Sequence, residues 1–348
     1  MSLDDHEGWP GVLGRLMAGE DLPRAVARAA AESILAGDAT PVQIGAFAVA
    51  LRQKGESVDE LTGVLEAMRA EGDHVPVDAS VLGLVDTCGT GGDRSHSINV
   101  STIAALVVVG AGGRVCKHGN RSQSSACGSA DVLEELGVVI DLGPDGVAAC
   151  IEEVGIGFCL APRFHPAMRH AGPARRELGV PTLFNFLGPL ANPALVQRQV
   201  VGVSDPAMAP KMAEVLAATG SQRAMVVHGL DGLDEISLGA PTEVVELRDG
   251  QVTTWRLDPA EMGLAPAGIE DLRGGDAVVN AAAARAVLSG ESGAHRDVVV
   301  VNAAAALVVA DVAQDLSDGM ARAQQALDTG AAATALASLV EVSNRVAR

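Results

Sequence analysis

Two short segments of this chain carry glycine, hydroxyl and charge at a density that suits holding a polyanion. The first, Gly89-Thr90-Gly91-Gly92-Asp93, follows the apolar run Leu82 to Val85 and leads into Asn99, Val100, Ser101 and Thr102. Glycine permits positive φ and lets a ligand approach the backbone. Asn and Ser are good N-caps, and a helix N-terminus offers free N–H groups and the macrodipole to a phosphate. No Gly-Lys-Ser/Thr follows, so this is not a Walker loop, and Arg94 stands where a dinucleotide fingerprint would put its third glycine. The second segment is Lys117-His118-Gly119-Asn120-Arg121, followed by Ser122, Gln123, Ser124, Ser125 and Ser129. The chain has only three lysines, Lys54, Lys117 and Lys211. One of them, beside a serine-rich loop and Arg121 in an acidic protein, favours an anion site over a solvated loop lysine. Far downstream, Asp234-Glu235 is a carboxylate doublet on a glycine-containing turn. Such a doublet either holds a hard cation or is simply a solvated acidic turn.

The elements that must position these residues are legible around them. Leu82–Val85 and Arg114–Cys116 read as short buried strands, and Ser129 as the cap of a helix from Ala130 to Leu136. Val138–Ile140, Gly157–Leu160, Val200–Val203 and Ala224–Val227 are further strand candidates; Ala207–Ala218 and Val278–Leu288 are helix candidates. This alternation predicts a mostly parallel sheet with helices on both faces. Glu243–Leu247 and Gln251–Leu257 flank Asp249-Gly250, a hairpin signal. From about Asp297 the tail reads as three alanine-rich helices. Residues 10–72, by contrast, are helical throughout. Pro23–Leu35 has helical apolar spacing, Thr40-Pro41-Val42-Gln43 opens a helix ending near Lys54 with Gly55 as its stop, and Ser57-Val58-Asp59-Glu60 opens another to about Ala70. The polar stretch Glu71–Ser80 is a connector, so a small α domain should end near residue 75. The expected fold class is α/β: a small all-helical domain plus a large α/β domain with a mostly parallel central sheet and helices on both faces.

The totals narrow the function classes. With 348 residues and 48% hydrophobic content a sizeable core is available, but aromatics are 2% and Tyr is absent, so that core must be Ala, Val and Leu. A formal charge of −19 without a basic run argues against a nucleic-acid or anionic-membrane surface. Five cysteines, an odd number with no C-x-x-C, read as reduced thiols of a cytoplasmic protein. Neither a secretory leader pattern nor an uninterrupted apolar run of membrane-spanning length stands out, and Val298–Val309 is too short to span.

The two loops, taken with later segments, resemble the anthranilate phosphoribosyltransferase family. The likeness rests on GTGGD, Asn99-Val100-Ser101-Thr102, KHGNR and GSADVLEELG, then on GIGFCLAP from Gly155, HPAMRH from His165, RRELG from Arg175, Phe184-Asn185 with Leu187-Gly188-Pro189-Leu190, and Asp231-Gly232-Leu233-Asp234-Glu235. It covers nearly the whole chain. The resemblance implies transfer of the phosphoribosyl group of 5-phosphoribosyl 1-diphosphate to the amine of anthranilate, in tryptophan biosynthesis. It also implies a discontinuous helical domain of residues 1–76 and 164–188 against an α/β domain of residues 77–163 and 189–348, because the helix-like segment His165–Leu178 returns to the helical unit. The active site would lie in the cleft between the two.

By the same resemblance, the sugar diphosphate would contact Gly89, Gly92, Asp93, Ser97, Asn99, Val100, Ser101, Thr102, Lys117, His118, Gly119, Asn120, Arg121, Ser122, Gln123, Ser124, Ser125 and Ser129. Anthranilate would meet Gly89, His118, Asn120 and Arg175, whose guanidinium can fork onto the carboxylate. Arg176 is the adjacent candidate. Ser101, Asp234 and Glu235 would serve Mg2+, with two ions expected. The resemblance further implies a homodimer with small-molecule substrates. No covalent nucleophile is expected, since a neutral aryl amine already attacks without a strong base. Two departures stand out: Arg94 replaces the glycine usual after GTGGD, and Ser97-Ile98 replaces Thr-Phe. Val279 also replaces a common acid. The alternatives are a pyrimidine nucleoside phosphorylase and a same-fold transferase acting on another aromatic amine acid.

Overall fold

The computed structural model describes residues 3–122 and 126–348. The N-terminal unit is four helices: α1 (Gly8–Met17), α2 (Arg24–Ala36), α3 (Pro41–Lys54) and α4 (Val58–Ala70). Both capping boxes form as expected. Thr40 Oγ1 accepts from the Gln43 N–H at 3.3 Å while the Gln43 side chain accepts from the Thr40 N–H at 2.8 Å, and Ser57 and Glu60 repeat the exchange. Gly63 lets α4 press against α2, since a Cβ there would lie 2.3 Å from the Arg24 carbonyl oxygen. Glu60 is buried yet satisfied, accepting from the Leu22 N–H and from Lys54 Nζ.

The larger unit follows the connector. After the one-turn helix α5 (Ala79–Leu82) come β1 (Leu84–Gly89), α6 (Val100–Gly110), β2 (Arg114–Gly119), α7 (Ser129–Glu135), α8 (Pro144–Val154) and β3 (Ile156–Leu160). The short helices α9 (Ala161–Phe164), α10 (Gly172–Leu178) and α11 (Leu183–Leu187) precede β4 (Arg198–Gly202), α12 (Ala209–Ala218), β5 (Arg223–Gly229) and the hairpin β6 (Thr242–Arg248)–β7 (Gln251–Leu257). Helices α13 (Ala277–Leu288), α14 (Ala294–Val309), α15 (Leu316–Asp328) and α16 (Ala331–Val346) complete the chain. The seven strands run in the order β3-β2-β1-β4-β5-β6-β7, parallel from β3 through β5 and antiparallel across β6 and β7. The hairpin turns at Asp249 and Gly250, both at positive φ, as the Asp-Gly signal requires.

Strand alternation sorts the core into two layers. Val200, Met225, Val227 and Val244 face a core shared with α6, α8, α14 and α16, whereas Val201, Ala224, Val226 and Val245 face one shared with α12 and the helical unit. The expected architecture is therefore present.

Four local expectations need correction. Val138–Ile140 forms no strand; β3 already occupies the sheet edge, and this segment instead lies under α16, where the Val139 N–H meets Ser343 Oγ. Leu82 ends α5, and β1 and β2 run on to Gly89 and Gly119, so Lys117 and His118 belong to a strand and not to a loop. Ser129 does not cap α7: Gly128 holds that place, its N–H taken by Asp131, and Ser129 Oγ donates to the Asn120 carbonyl. His165–Leu178 is not one helix but a 3-10 turn (Pro166–His170) followed by α10, restarted by Gly172-Pro173. The turn packs on α2 and α10 on α3. No described helix is long and apolar enough to cross a membrane.

Candidate active site

The connections leaving β1 and β4 run to opposite sides of the sheet, which leaves a crevice at their carboxyl ends, the place where open α/β sheets bind ligands. Gly89 and Gly202 are register partners at those ends. The Asp234 turn lies directly on both. A Cβ on Gly89 would lie 3.0 Å from Asp234 Oδ2, and one on Gly202 would lie 1.6 Å from the Asp234 carbonyl oxygen. The Gly91 N–H donates to Asp234 Oδ2 at 2.9 Å, and Ser204, just past β4, donates through Oγ to the Gly91 carbonyl. The glycine-rich loop and the carboxylate doublet, 143 positions apart at that hydrogen bond, thus form one structure.

At the N-terminus of α6 the Ser101 N–H donates to Glu235 Oε1 at 3.2 Å. Asn99 occupies the N-cap position but its side chain does not cap: Oδ1 accepts from Asn280 Nδ2 and Nδ2 donates to the Cys127 carbonyl. In the first turn the Val100 and Thr102 N–H groups donate to the Ile98 and Asn99 carbonyls, and the Ser101 N–H is the one given to Glu235. Lys117 is buried, its Nζ donating to the Thr87 carbonyl and, at 3.3 Å, to Ser101 Oγ. Thr87 Oγ1 in turn donates to the Ser101 carbonyl. His118, the next residue, faces the other side of the sheet. Its ring meets that of His165 at a tilt of 58°, with centroids 5.2 Å apart.

Charge in this crevice is strained. Burial, with the Asp93 and Glu235 carboxylates beside it, holds Asp234 well above the usual carboxylate range. Burial raises Glu235 to about 8, against the opposing pull of Lys117 and the Ser101 N–H. Asp93 Oδ2 is buried without a hydrogen-bond partner, while its Oδ1 accepts from the Ser95 N–H. Hard oxygens crowded together and partly unsatisfied are what a divalent cation would relieve, so the residues present fit magnesium. Among the described residues, no three His, Cys, Asp or Glu side chains make a cation site by themselves. Further oxygens must come from a ligand. Burial and the neighbouring His165 lower His118 to about 3, so it stays neutral near pH 7, and its Nε2 is buried without a partner.

The remaining expected residues fall into three groups. Gly92, Ser97, Val100 and Thr102 lie along the first loop and the start of α6, with Ser97 accepting from Ser95 Oγ and bridged to Arg273. Gly119 ends β2 and Asn120 follows it; a Cβ on Gly119 would lie 2.2 Å from Ser129 Oγ. Arg121 is turned onto Asp131 and Glu134, and Ser122 donates its N–H to Asp131. Gln123, Ser124 and Ser125 lie outside the described residues. Arg175 makes no ion pair among the described residues; its guanidinium sits 5.7 Å from the Phe184 ring centroid, and burial lowers its pKa. Arg176 is exposed. Arg94 adopts φ 60, a left-handed conformation that glycine takes freely.

Five further residues belong to the site's frame: Asp86, Asn192, Gly202, Ser204 and Asn280. A charged residue inside an apolar strand was the available signal for Asp86, which is fully buried. The other four act through contacts from distant segments, and local spacing carries no trace of them.

Similarity to known proteins agrees with this geometry. Residues 82–333 match the glycosyl transferase family, a/b domain, and residues 10–72 its helical bundle domain. The anthranilate phosphoribosyltransferase of Salinispora arenicola is 51% identical over 344 residues, covering 97% of each chain. That of Rhodococcus jostii is 50% identical over 345 residues, covering 97% of this chain and 94% of its own. Among solved structures, the anthranilate phosphoribosyltransferase of Thermus thermophilus superposes with TM-score 0.89 at 40% identity, over 96% of this chain and 99% of that one. The Saccharomyces cerevisiae enzyme in complex with PRPP and Mg superposes with TM-score 0.87 at 26% identity, over 97% and 98%. The chain therefore belongs to the glycosyl transferase family that these two domains define and, within it, to the anthranilate phosphoribosyltransferases.

Proposed function

We propose that this chain transfers the phosphoribosyl group of 5-phosphoribosyl 1-diphosphate to the amine of anthranilate, releasing diphosphate, as a step of tryptophan biosynthesis. The observation that carries this reading is the meeting, at the ends of β1 and β4, of a glycine loop, a helix N-terminus, a buried lysine and a carboxylate doublet. Gly89, Gly92, Asp93, Ser97 and Asn99 to Thr102 receive the sugar diphosphate on one side, and Lys117 to Ser125 with Ser129 on the other. Lys117 offsets its charge. Asp234, Glu235 and Ser101 hold magnesium, two ions in all, and the metal when bound neutralises the leaving diphosphate.

Catalysis rests on positioning and on charge stabilisation as the sugar carbon becomes cationic. His118, neutral at physiological pH, lines the anthranilate side with Asn120 and Gly89. Arg175, half-buried and without an ion pair among the described residues, receives the anthranilate carboxylate. We assign residues 1–76 and 164–188 to the helical domain and residues 77–163 and 189–348 to the α/β domain. A cytoplasmic homodimer completes the reading.

Loss of anthranilate fluorescence with purified protein, magnesium and phosphoribosyl diphosphate tests it. Consumption of anthranilate is the expected result. Phosphorolysis of thymidine without consumption of anthranilate would overturn it in favour of a nucleoside phosphorylase.

A further inference from the structure

The ladder between β1 and β2 stops early. Its register pairs are Leu84 with Arg114 and Val85 with Val115, although the strands continue to Gly89 and Gly119. Both strands keep their pairing with their other neighbours, β4 and β3, to the end. Main-chain pairing between the two strands therefore ends at the point where the site begins. Buried backbone groups left by such a gap must find other partners.

Side chains supply them. Asp86 Oδ1 accepts from the His118 N–H at 3.2 Å, Asn192 Nδ2 donates to the Cys116 carbonyl at 2.8 Å, and Lys117 Nζ donates to the Thr87 carbonyl. Asp86 and Asn192 are joined to each other, Asn192 Nδ2 donating to Asp86 Oδ2 at 2.8 Å, and Asn192 Oδ1 is fixed in turn by the Ala194 N–H at 2.9 Å. Both residues are buried. The amide orientation of Asn192 follows from its partners: one end meets a carboxylate and a carbonyl, the other an N–H.

We propose that Asp86 and Asn192 form a wedge that takes the place of the missing main-chain pairing between β1 and β2 and so positions Lys117 and His118 for the two substrates, a proposal that rests on the phosphoribosyl transfer reading above. Neither residue reaches the crevice itself, so both are positioning residues. The wedge acts at the backbone on either side of Lys117, at Cys116 and His118. It thereby fixes where the lysine ammonium emerges beside Ser101 and where the imidazole emerges beside His165. The negative charge of Asp86 also lies close enough to Lys117 to act on it. Asp86→Asn breaks the wedge with almost no change of volume, because one of its two contacts then faces donor to donor, at either the Asn192 amide or the His118 N–H.

The test compares Asp86→Asn, Asn192→Ala and the double variant in steady-state assays, with circular dichroism to establish folding. Each single variant is expected to raise KM for phosphoribosyl diphosphate about tenfold or more and to lower kcat. The double variant should be no worse than the more damaged single within about threefold, because the pair acts as a unit. A role confined to stability would reduce the active fraction and leave KM unchanged, so folded variants with wild-type KM overturn the proposal. If the wild type itself does not consume anthranilate, the reading of function fails and the proposal falls with it. If no variant folds, amide exchange on the wild type decides: a His118 N–H protected to within about tenfold of Val115 upholds the wedge, and free exchange rejects it.

Discussion

The glycine at the end of β4 should be as decisive for activity as any charged residue in the crevice. An ideal Cβ at Gly202 falls 1.6 Å from the Asp234 carbonyl oxygen and 2.6 Å from its carbon, where real contacts stay beyond 3.0 Å. The obstruction is backbone, so no rotamer change can relieve it, and in Gly202→Ala the Asp234 turn must move by at least about 1.4 Å. That turn carries the doublet, the acceptor of the Gly91 N–H and the acceptor of the Ser101 N–H. A misplacement of about 1 Å costs roughly 100-fold in rate, or about 2.7 kcal/mol of transition-state stabilisation. Overpacking should lower stability by about 1–3 kcal/mol as well. Gly89→Ala is the graded control: its Cβ comes closest to the Asp234 carboxylate, at 3.0 Å, and meets backbone only at the Gly202 carbonyl, at an ordinary 3.5 Å, so about a tenfold loss is expected. The assay is anthranilate consumption across a magnesium titration, with a thermal melt to establish folding. Gly202→Ala should fall about 100-fold in kcat/KM and need more magnesium. A folded Gly202→Ala with wild-type kcat/KM at ordinary magnesium would refute the idea that this contact places the doublet.

Three other outcomes follow from the geometry. Arg175→Ala should raise KM for anthranilate about 10- to 100-fold, the scale of a lost charge-assisted contact, and leave KM for phosphoribosyl diphosphate within about twofold; the reverse pattern would move the carboxylate site elsewhere. Arg94→Gly should gain about 0.5 kcal/mol in urea denaturation, since the left-handed backbone at φ 60 suits glycine. If Arg94 also contacts the diphosphate, KM for that substrate rises in the same variant, and an unchanged KM ends that role. Burial raises Asp86 from 3.8 to about 6, so the folded state binds this proton more tightly than the unfolded chain does. Stability from this group is therefore present below about pH 4 and lost as pH rises through about 6, by roughly 3 kcal/mol. Asp86→Asn should flatten that window in wild-type-minus-variant denaturation curves between pH 4 and 7, and parallel curves would disprove the assignment.

Much of this molecule can be read along the chain because its causes are local. The capping boxes at Thr40 and Ser57, the Asp249-Gly250 turn and the buried helix Val298–Val309 all depend on residues within a few positions of one another. So does the alternation that announces a parallel sheet. Residue types also pointed to an anion site at the two loops, whereas the acidic doublet read as a cation site only through the family resemblance. Tertiary structure decided the rest, and in each case because a distant segment competed for a local group. Asn280 and the Cys127 carbonyl took the Asn99 side chain from its helix cap. Val138–Ile140 met a helix where it lacked a strand to join. Lys117 and His118 are neighbours in sequence, yet a strand turns successive side chains to opposite faces, so one reaches Ser101 and the other His165. The closeness of Asp234 to Gly89 and Gly202, and the bond from Asn192 to Asp86, join positions about a hundred residues apart or more, apart from the short step between Gly202 and the doublet. Local periodicity records which face of an element is apolar; it holds no information on which distant backbone will press against a given glycine.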